Sequence, residues 1–303
     1  MRVVSLASGS SGNALLVQTG RTAVLVDAGL AARTLTSRLR QVGVTPGMLS
    51  AVLLTHEHSD HASGAIAFAS QHGLPLISDP RTVAAVLEQP SAARWEAQTG
   101  QALSGRTIER VGLAVGTSTK VHDLNIRSFP VSHDAVAPCG YVLSTGAWNV
   151  CVAIDTGEAH EPMIEAMRGA QLVVLEANHE KERLLAGPYP WHLKRRILGA
   201  TGHLSNEQAS QALLRVVDDS PCWVWLAHLS RTNNTPDLAR AQVRDALLRA
   251  GLRHIALQVA PPGVGPVWDT SALWGGTRSP VTATKTIQPD VVALTTRSLF
   301  EGL

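Results

Sequence analysis

Hydrophobic and polar positions change period several times along the chain. In the first third the apolar runs are short: Val3 to Ala7, Ala14 to Thr19 and Thr22 to Ala28 predict strands, the last two joined across Gly20-Arg21. Leu30 to Val42 takes on a helical period, with Leu35 and Leu39 four apart, and Ala51 to Thr55 is a compact apolar run of buried-strand length. A helix over Ala62 to His72, a strand over Leu74 to Ser78 and a helix over Pro80 to Glu88, proline leading, come next. The stretch from Pro90 to Gly116 carries no clear period, and strands return at Lys120 to Pro130, Tyr141 to Ser144 and Val150 to Ile154.

From Glu158 onward the pattern alternates. It predicts helix to Arg168, strand Leu172 to Glu176, helices Trp191 to Leu198 and Ser205 to Val217, strand Cys222 to Ala227, helix Pro236 to Arg249 and strand His254 to Val259. Two β-rich runs, each followed by β/α alternation, predict an α/β (α+β) body with two facing sheets and helices outside, a four-layer αββα sandwich. No linker divides residues 1–260, which read as one domain. Residues 261–303 open with Pro-Pro-Gly, are rich in Thr, Ser and Gly and show no helical period, so a flexible C-terminal extension is expected.

Composition narrows the function classes. At 45% hydrophobic residues the 303-residue chain excludes wholesale disorder, and no apolar run approaches the length of a membrane span. Net charge is +2, too mild to advertise a polyanion partner by itself. Three widely spaced cysteines, Cys139, Cys151 and Cys222, offer neither a disulfide framework nor a CxxC metal site, which predicts a reducing cytoplasm, while the shortness of the apolar runs predicts no membrane association. Twelve histidines form a large reserve of metal ligands and proton carriers.

The sharpest chemical signal is Thr55-His56-Glu57-His58-Ser59-Asp60-His61, where a buried strand gives way to a helix. Positions two apart in an extended chain project the same way, so His56 and His58 can grip one ion. Asp60 and His61 follow the turn and can reach a second ion, as a two-metal clamp requires. Further ligands belong at neighbouring strand ends: His133 in Val131-Ser132-His133-Asp134, Asp155 in Ile154-Asp155-Thr156-Gly157 and His228 in Ala227-His228-Leu229-Ser230. Taken singly, such residues are usually hydrogen-bonded or capping side chains. Together they assign His56, His58 and His133 to one metal, Asp60, His61 and His228 to the other, and Asp155 to a bridge.

HxHxDH followed by His133, Asp155 and His228 resembles the metallo-β-lactamase-fold hydrolases. Within them, the WalJ/YycJ branch, itself similar to ribonuclease Z, is resembled by Ser8-Gly9-Ser10-Ser11-Gly12-Asn13, Leu25-Val26-Asp27-Ala28-Gly29, Glu176-Ala177-Asn178-His179, Gly202-His203-Leu204-Ser205-Asn206, and Ala227 to Ser230 with Asn233-Asn234. The resemblance spans about residues 3 to 259 and implies a metal-dependent exonuclease acting on DNA from the five-prime end, linked with DNA repair and cell-wall regulation. RNA is a second candidate substrate. The tail after Pro261 has no counterpart in the resemblance. The interval from Asp155 to His228 is too short for the inserted domain of larger RNA-cleaving relatives.

Two divalent cations would lower the pKa of a shared water to about 7, yielding a hydroxide at neutral pH. His-rich ligation favours zinc, and the carboxylates also admit manganese. Asp60 is the candidate proton acceptor and His203 the candidate donor to the leaving oxygen, with Glu176 orienting the imidazole; an ordinary strand-end charge is the competing reading of Glu176. For phosphate contacts the candidates are Ser205 and Asn206 at a helix start, Lys194 and Arg196 beside Trp191, and Ser10 in the small-residue loop. Against these stand a plain N-cap, a solvated basic helix face and an unremarkable turn. A hydrolase of a small phosphodiester or thioester is the alternative function. A non-catalytic metal-binding regulatory protein is a third, opposed by the completeness of the ligand set.

Overall fold

The computed structural model describes residues 1–103, 108–146, 148–216 and 222–273. One sheet contains β1 (Arg2–Ala7), β2 (Ala14–Gln18), β3 (Ala23–Val26), β4 (Ala51–Leu53), β5 (Leu76–Ser78), β6 (Arg110–Gly112) and β14 (Val267–Asp269), in the order β14-β1-β2-β3-β4-β5-β6. The other contains β7 (Ser118–Val121), β8 (Leu124–Pro130), β9 (Cys139–Thr145), β10 (Trp148–Ala153), β11 (Leu172–Glu176), β12 (Trp223–Ala227) and β13 (Ala256–Val259), in the order β13-β12-β11-β10-β9-β8-β7. Each sheet is half antiparallel and half parallel: β3 through β6 run parallel in the first, β10 through β13 in the second.

Side-chain alternation makes the layers. Along β3, Leu25 joins a core with the first set of helices while Val24 and Val26 face the other sheet; along β10, Cys151 and Ala153 face helices while Val150 and Val152 meet the opposing sheet. Strands with a packed layer on both faces read as continuous apolar runs. The helices α1 (Ala32–Gln41), α2 (Ser59–Ala62), α3 (Ala65–His72), α4 (Pro80–Leu87) and α5 (Pro90–Thr99) belong to the first half. Those of the second are α6 (Glu161–Met167), α7 (Lys181–Ala186), α8 (Trp191–Leu198), α9 (Asn206–Leu214) and α10 (Pro236–Arg249). The expected αββα sandwich is therefore the observed architecture.

Four local expectations are corrected. The helix predicted over 62–72 starts only at Ala65, as α3; Ala62 instead ends the separate α2, and the break falls at Ser63 and Gly64, where a Cβ on Gly64 would lie 1.8 Å from the Leu30 carbonyl oxygen. Residues 90–99 form α5 despite their weak pattern, because Ala92 and Trp95 find a core to bury in. The strand over 120–130 is a hairpin, β7 and β8, turning at His122 and Asp123, with His122 at φ +50°.

The fourth concerns the extension. Residues 261–273 belong to the body: β14 pairs antiparallel with β1, Trp268 is buried between the sheets, and α11 (Thr270–Leu273) follows. Gly265 and Pro266 exchange backbone hydrogen bonds with Ser5 at 2.9 and 3.2 Å. The apolar side chains of β14 are too few to show a period, and the pairing comes from a partner strand at the other end of the chain. The rest of the predicted extension, 274–303, lies outside the described residues, as do 217–221 at the end of the predicted helix from Ser205.

Candidate active site

The site lies where strands of both sheets end. Asp27 follows β3, His56 lies just past β4, His133 past β8, Asp155 past β10, Glu176 ends β11 and His228 follows β12. Such strand ends are where α/β sheets place ligands. Asp27, Asp155 and His228 have φ of +62°, +55° and +54°, a left-handed conformation costly for side-chain-bearing residues. The bend turns each side chain out of the strand direction and toward a common centre.

The turn bearing Asp60 and His61 is held from beneath. Asn13 N donates to the Asp60 carbonyl oxygen at 2.7 Å and Ala28 N to that of His61 at 2.7 Å. Gly29 permits this approach, since a Cβ there would sit 1.7 Å from the Asp60 oxygen.

Two donor groups converge on one carboxylate. His56, His58, His133 and Asp155 place ligand atoms within 4.8 Å of one another, as do Asp60, His61, Asp155 and His228. A third group, Asp155, Glu176, His203 and His228, shares two of these residues. Asp155 Oδ2 is 2.9 Å from His61 Nε2, 3.3 Å from His56 Nε2 and 3.8 Å from His133 Nε2. His228 Nε2 is 3.3 Å from Asp60 Oδ2, and its Nδ1 contacts Asp155 Oδ1.

These residues fit metal ions. His56 Nε2 is buried without a hydrogen-bond partner and faces the cluster. Outer contacts fix the rings: Thr55 Oγ1 lies 3.0 Å from His56 Nδ1, Asp27 Oδ2 2.8 Å from His61 Nδ1, and the Gly202 carbonyl oxygen 3.1 Å from His133 Nδ1. Engaging Nδ1 leaves Nε2 as the ligating atom, an arrangement usual for metal-bound histidine. Electrostatics agree. Burial opposes charge on His61, yet Asp155 and Asp27 raise its pKa to about 10. Burial likewise opposes charge on His228, and Asp155 prevails there too, driving its pKa well up. His56 goes the other way, held down to about 3 by burial and by neighbouring His61. The centre therefore attracts positive charge while keeping a neutral imidazole ready to ligate.

Glu176 is fully buried and saturated. Its Oε1 accepts from His203 Nδ1 at 2.7 Å and His228 Nδ1 at 3.1 Å, and its Oε2 from Thr156 N at 2.9 Å and Leu204 N at 3.3 Å. Burial opposes ionisation of Glu176, but His203 pulls its pKa down, and the same pair raises the pKa of His203 against the effect of burial. His203 borders a cavity of about 250 Å³ whose wall also includes Ser10, Asp60, Asn178, Tyr189 and Arg196. Arg196 is gripped by Asp134, with Nε 2.5 Å from Oδ2 and Nη2 3.1 Å from Oδ1.

Of the five predicted substrate contacts, Ser10 and Arg196 line this cavity. The other three are engaged within the protein. Lys194 is buried and donates from Nζ to the Leu185 carbonyl oxygen at 2.6 Å, tying α8 to α7. Ser205 is the N-cap of α9, accepting from Gln208 N at 3.2 Å within a capping box. Asn206 is buried and bonded to Asn234 and Gln242. A helix start reads the same whether it caps itself or receives an anion, so these were not separable by sequence. Asn234 does brace the loop after His228, donating to Ala177 O at 2.9 Å, whereas both side-chain polar atoms of Asn233 are buried without partners.

Sequence reasoning assigned no role to Asp27, Thr55 or Asn13. Asp27 accepts from Thr55 N and Oγ1 at 2.9 and 3.0 Å besides its contact with His61, and Asn13 Nδ2 lies 2.9 Å from His61 Nε2. The available signal for Asp27 was its place at a strand end, the same that marked Asp155.

Comparison with known proteins gives a matching picture. Residues 22–221 match the Beta-lactamase superfamily domain. The chain is 35% identical over 271 residues to Exodeoxyribonuclease WalJ of Streptococcus pneumoniae, covering 88% of this chain and 93% of that protein. It is 36% identical over 246 residues to Exodeoxyribonuclease YycJ of Bacillus anthracis, covering 81% and 89%. In fold it is similar to the metallo-beta-lactamase fold protein YhfI of Bacillus subtilis, with TM-score 0.61, 18% identity, and coverage of 88% and 98%.

Proposed function

The chain belongs to the beta-lactamase superfamily and, within it, to the family of WalJ and YycJ, and from that premise we propose that it is a dinuclear metal-dependent DNA exonuclease acting from the five-prime end. The observation that carries the substrate class is the wall of the metal-donor cavity. Arg196, a fixed cation suited to phosphate, and His203, an imidazole whose pKa Glu176 raises against the effect of burial, border the same space as Asp60 and Asp155. Hydrolysis of a thioester does not call for that pairing.

His56, His58 and His133 would hold one ion, Asp60, His61 and His228 the other, and Asp155 both. Zinc suits this donor set first and manganese second. When bound, the ions supply activation of water and neutralisation of phosphate charge. The chain's own groups do the rest. Asp60 is held ionised, its pKa lowered by His228 and His61 against the opposing effect of burial, and its carboxylate accepts the proton of the attacking water. His203, with Nδ1 bound to Glu176, presents Nε2 to the cavity and donates a proton to the leaving oxygen. Arg196 orients the phosphate, and Asp134 fixes Arg196.

Among the described residues no helix is long and apolar enough to cross a membrane. We assign the protein to the cytoplasm on its three buried cysteines, none of which is in a disulfide.

The test is hydrolysis of end-labelled single- and double-stranded DNA by protein loaded separately with zinc and with manganese, with Asp60→Ala as control and bis-p-nitrophenyl phosphate and a thioester alongside. Shortening of DNA from its five-prime end, lost in the variant, is the expected result. Turnover of the small phosphodiester or the thioester alone would replace DNA by a metabolite as substrate.

A further inference from the structure

A groove of about 730 Å³ runs over the outer surface of the first half of the molecule, lined by Arg33, Thr36, Ser37, Arg40 and Gln41 of α1 and by Gln71 of α3. The α1 residues recur at three- and four-residue intervals and share one face, opposite the buried Leu35 and Leu39. Arg33 and Arg40 are exposed, seven residues apart, so about 10 Å separates them along the helix axis.

The charge here is uncompensated in a protein that is otherwise nearly neutral. Residues 28–56 and 61–78, which supply α1, β4, α3 and β5, contain no Asp or Glu. Arg38, between the two, is consumed by the Leu6 and Pro262 carbonyl oxygens at 2.8 Å each. Arg33 and Arg40 make no salt bridge among the described residues, whereas on the other half Arg168, Arg215, Arg240 and Arg249 are each paired with a carboxylate.

The groove also points at the site. β3 and β4 are parallel, so α1 between them runs antiparallel to both and starts at the strand ends where Asp27 and His56 lie. Its approach is anchored there: Gly29 N donates to the Asn13 carbonyl oxygen at 3.0 Å, and a Cβ on Gly12 would meet the Leu30 side chain at 2.4 Å. Gly12 and Asn13 end the loop whose Ser10 lines the catalytic cavity.

We propose that this stripe of α1 is a track for the phosphate backbone of the substrate strand leading away from the catalytic cavity. It rests on the nuclease reading and adds a second contact region to it. Two unpaired guanidinium groups on a helix face, with hydroxyls and amides between them, match a run of phosphates and provide no base-edge readout, so binding there is independent of sequence.

The experiment is steady-state hydrolysis of a labelled single-stranded oligonucleotide and of bis-p-nitrophenyl phosphate by metal-loaded wild type, Arg33→Ala/Arg40→Ala, and Arg240→Ala/Arg249→Ala as a charge-matched control. The first variant is expected to raise KM for the oligonucleotide about 10- to 30-fold near 0.1 M salt, and to flatten the log–log salt dependence by about 1.4, two contacts at roughly 0.7 each. Its kcat and its hydrolysis of the small ester stay unchanged, and the control variant behaves as wild type. An unchanged oligonucleotide KM in Arg33→Ala/Arg40→Ala, or an equal rise in the control, overturns the track. Wild type that cleaves the small ester but no DNA overturns the nuclease reading instead, and the track with it.

Discussion

Glu176 and His203 meet at 2.7 Å, carboxylate oxygen to ring Nδ1, with the carboxylate fully buried and the ring at the cavity wall. The same Glu176 oxygen also lies 3.1 Å from His228 Nδ1, so one carboxylate orients both the candidate proton donor and a candidate metal ligand.

Replacing His203 by Ala is expected to leave two metal equivalents bound and to lower the rate by a factor of about 10² to 10⁴, the usual worth of a general acid. Metal analysis beside kcat measures both. An empty site in that variant would reassign His203 to ligation. Glu176→Gln, acting through two rings, is expected to lower kcat and to weaken metal retention together.

Asp60→Ala and Asp155→Ala remove carboxylates to which several buried imidazoles turn, and both variants are expected to lose metal and turnover. Chelator-treated wild type should lose activity in parallel and regain it on addition of zinc or manganese. Retained activity after verified metal removal would contradict the mechanism.

Asp27 does not line the catalytic cavity, yet it holds His61 and Thr55. Asp27→Ala should weaken metal affinity about 10- to 100-fold, the typical cost of losing an outer partner of a ligating histidine. Competition with a chromogenic chelator reads this directly, and an unchanged affinity would make Asp27 purely structural.

Lys194→Met leaves the Leu185 carbonyl oxygen without its donor. The expected cost is about 1 to 2 kcal/mol in denaturant unfolding, with the KM for DNA unchanged. A raised KM at unaltered stability would return Lys194 to the substrate.

The thiols should be silent in the folded protein. Burial raises the Cys139 pKa to about 12 and pushes Cys151 up as well, so neither forms the reactive thiolate at neutral pH. A thiol reagent at pH 8 is expected to label neither until denaturant is added. Rapid labelling of the native state would show that these positions open.

The two sheets were legible because their strands are apolar runs ending in polar, chemistry-bearing residues: Leu53 before His56, Ala153 before Asp155, Ala227 before His228. The metal donors were legible for the same reason, since ligands two apart or at strand ends leave a spacing in the sequence. What stayed hidden depends on partners remote in the chain. Trp268 is buried by the opposing sheet, and the Lys194 amine ends on a carbonyl rather than in the cavity. Nothing local distinguishes a lysine that braces two helices from one that binds phosphate.

The pairing of β14 with β1 has a consequence for how the molecule is made. Arg2 lies opposite Asp269, Val3 opposite Trp268 and Val4 opposite Val267, so β1 is synthesised more than 260 residues before the strand that becomes its neighbour. Until then β1 presents an unpaired edge next to β2, the kind of edge that recruits other strands. Contacts of such sequence separation are formed slowly because the intervening loop must first be closed. Folding of this half is therefore completed late, and the nascent protein passes through a stage in which its first sheet is open on one side.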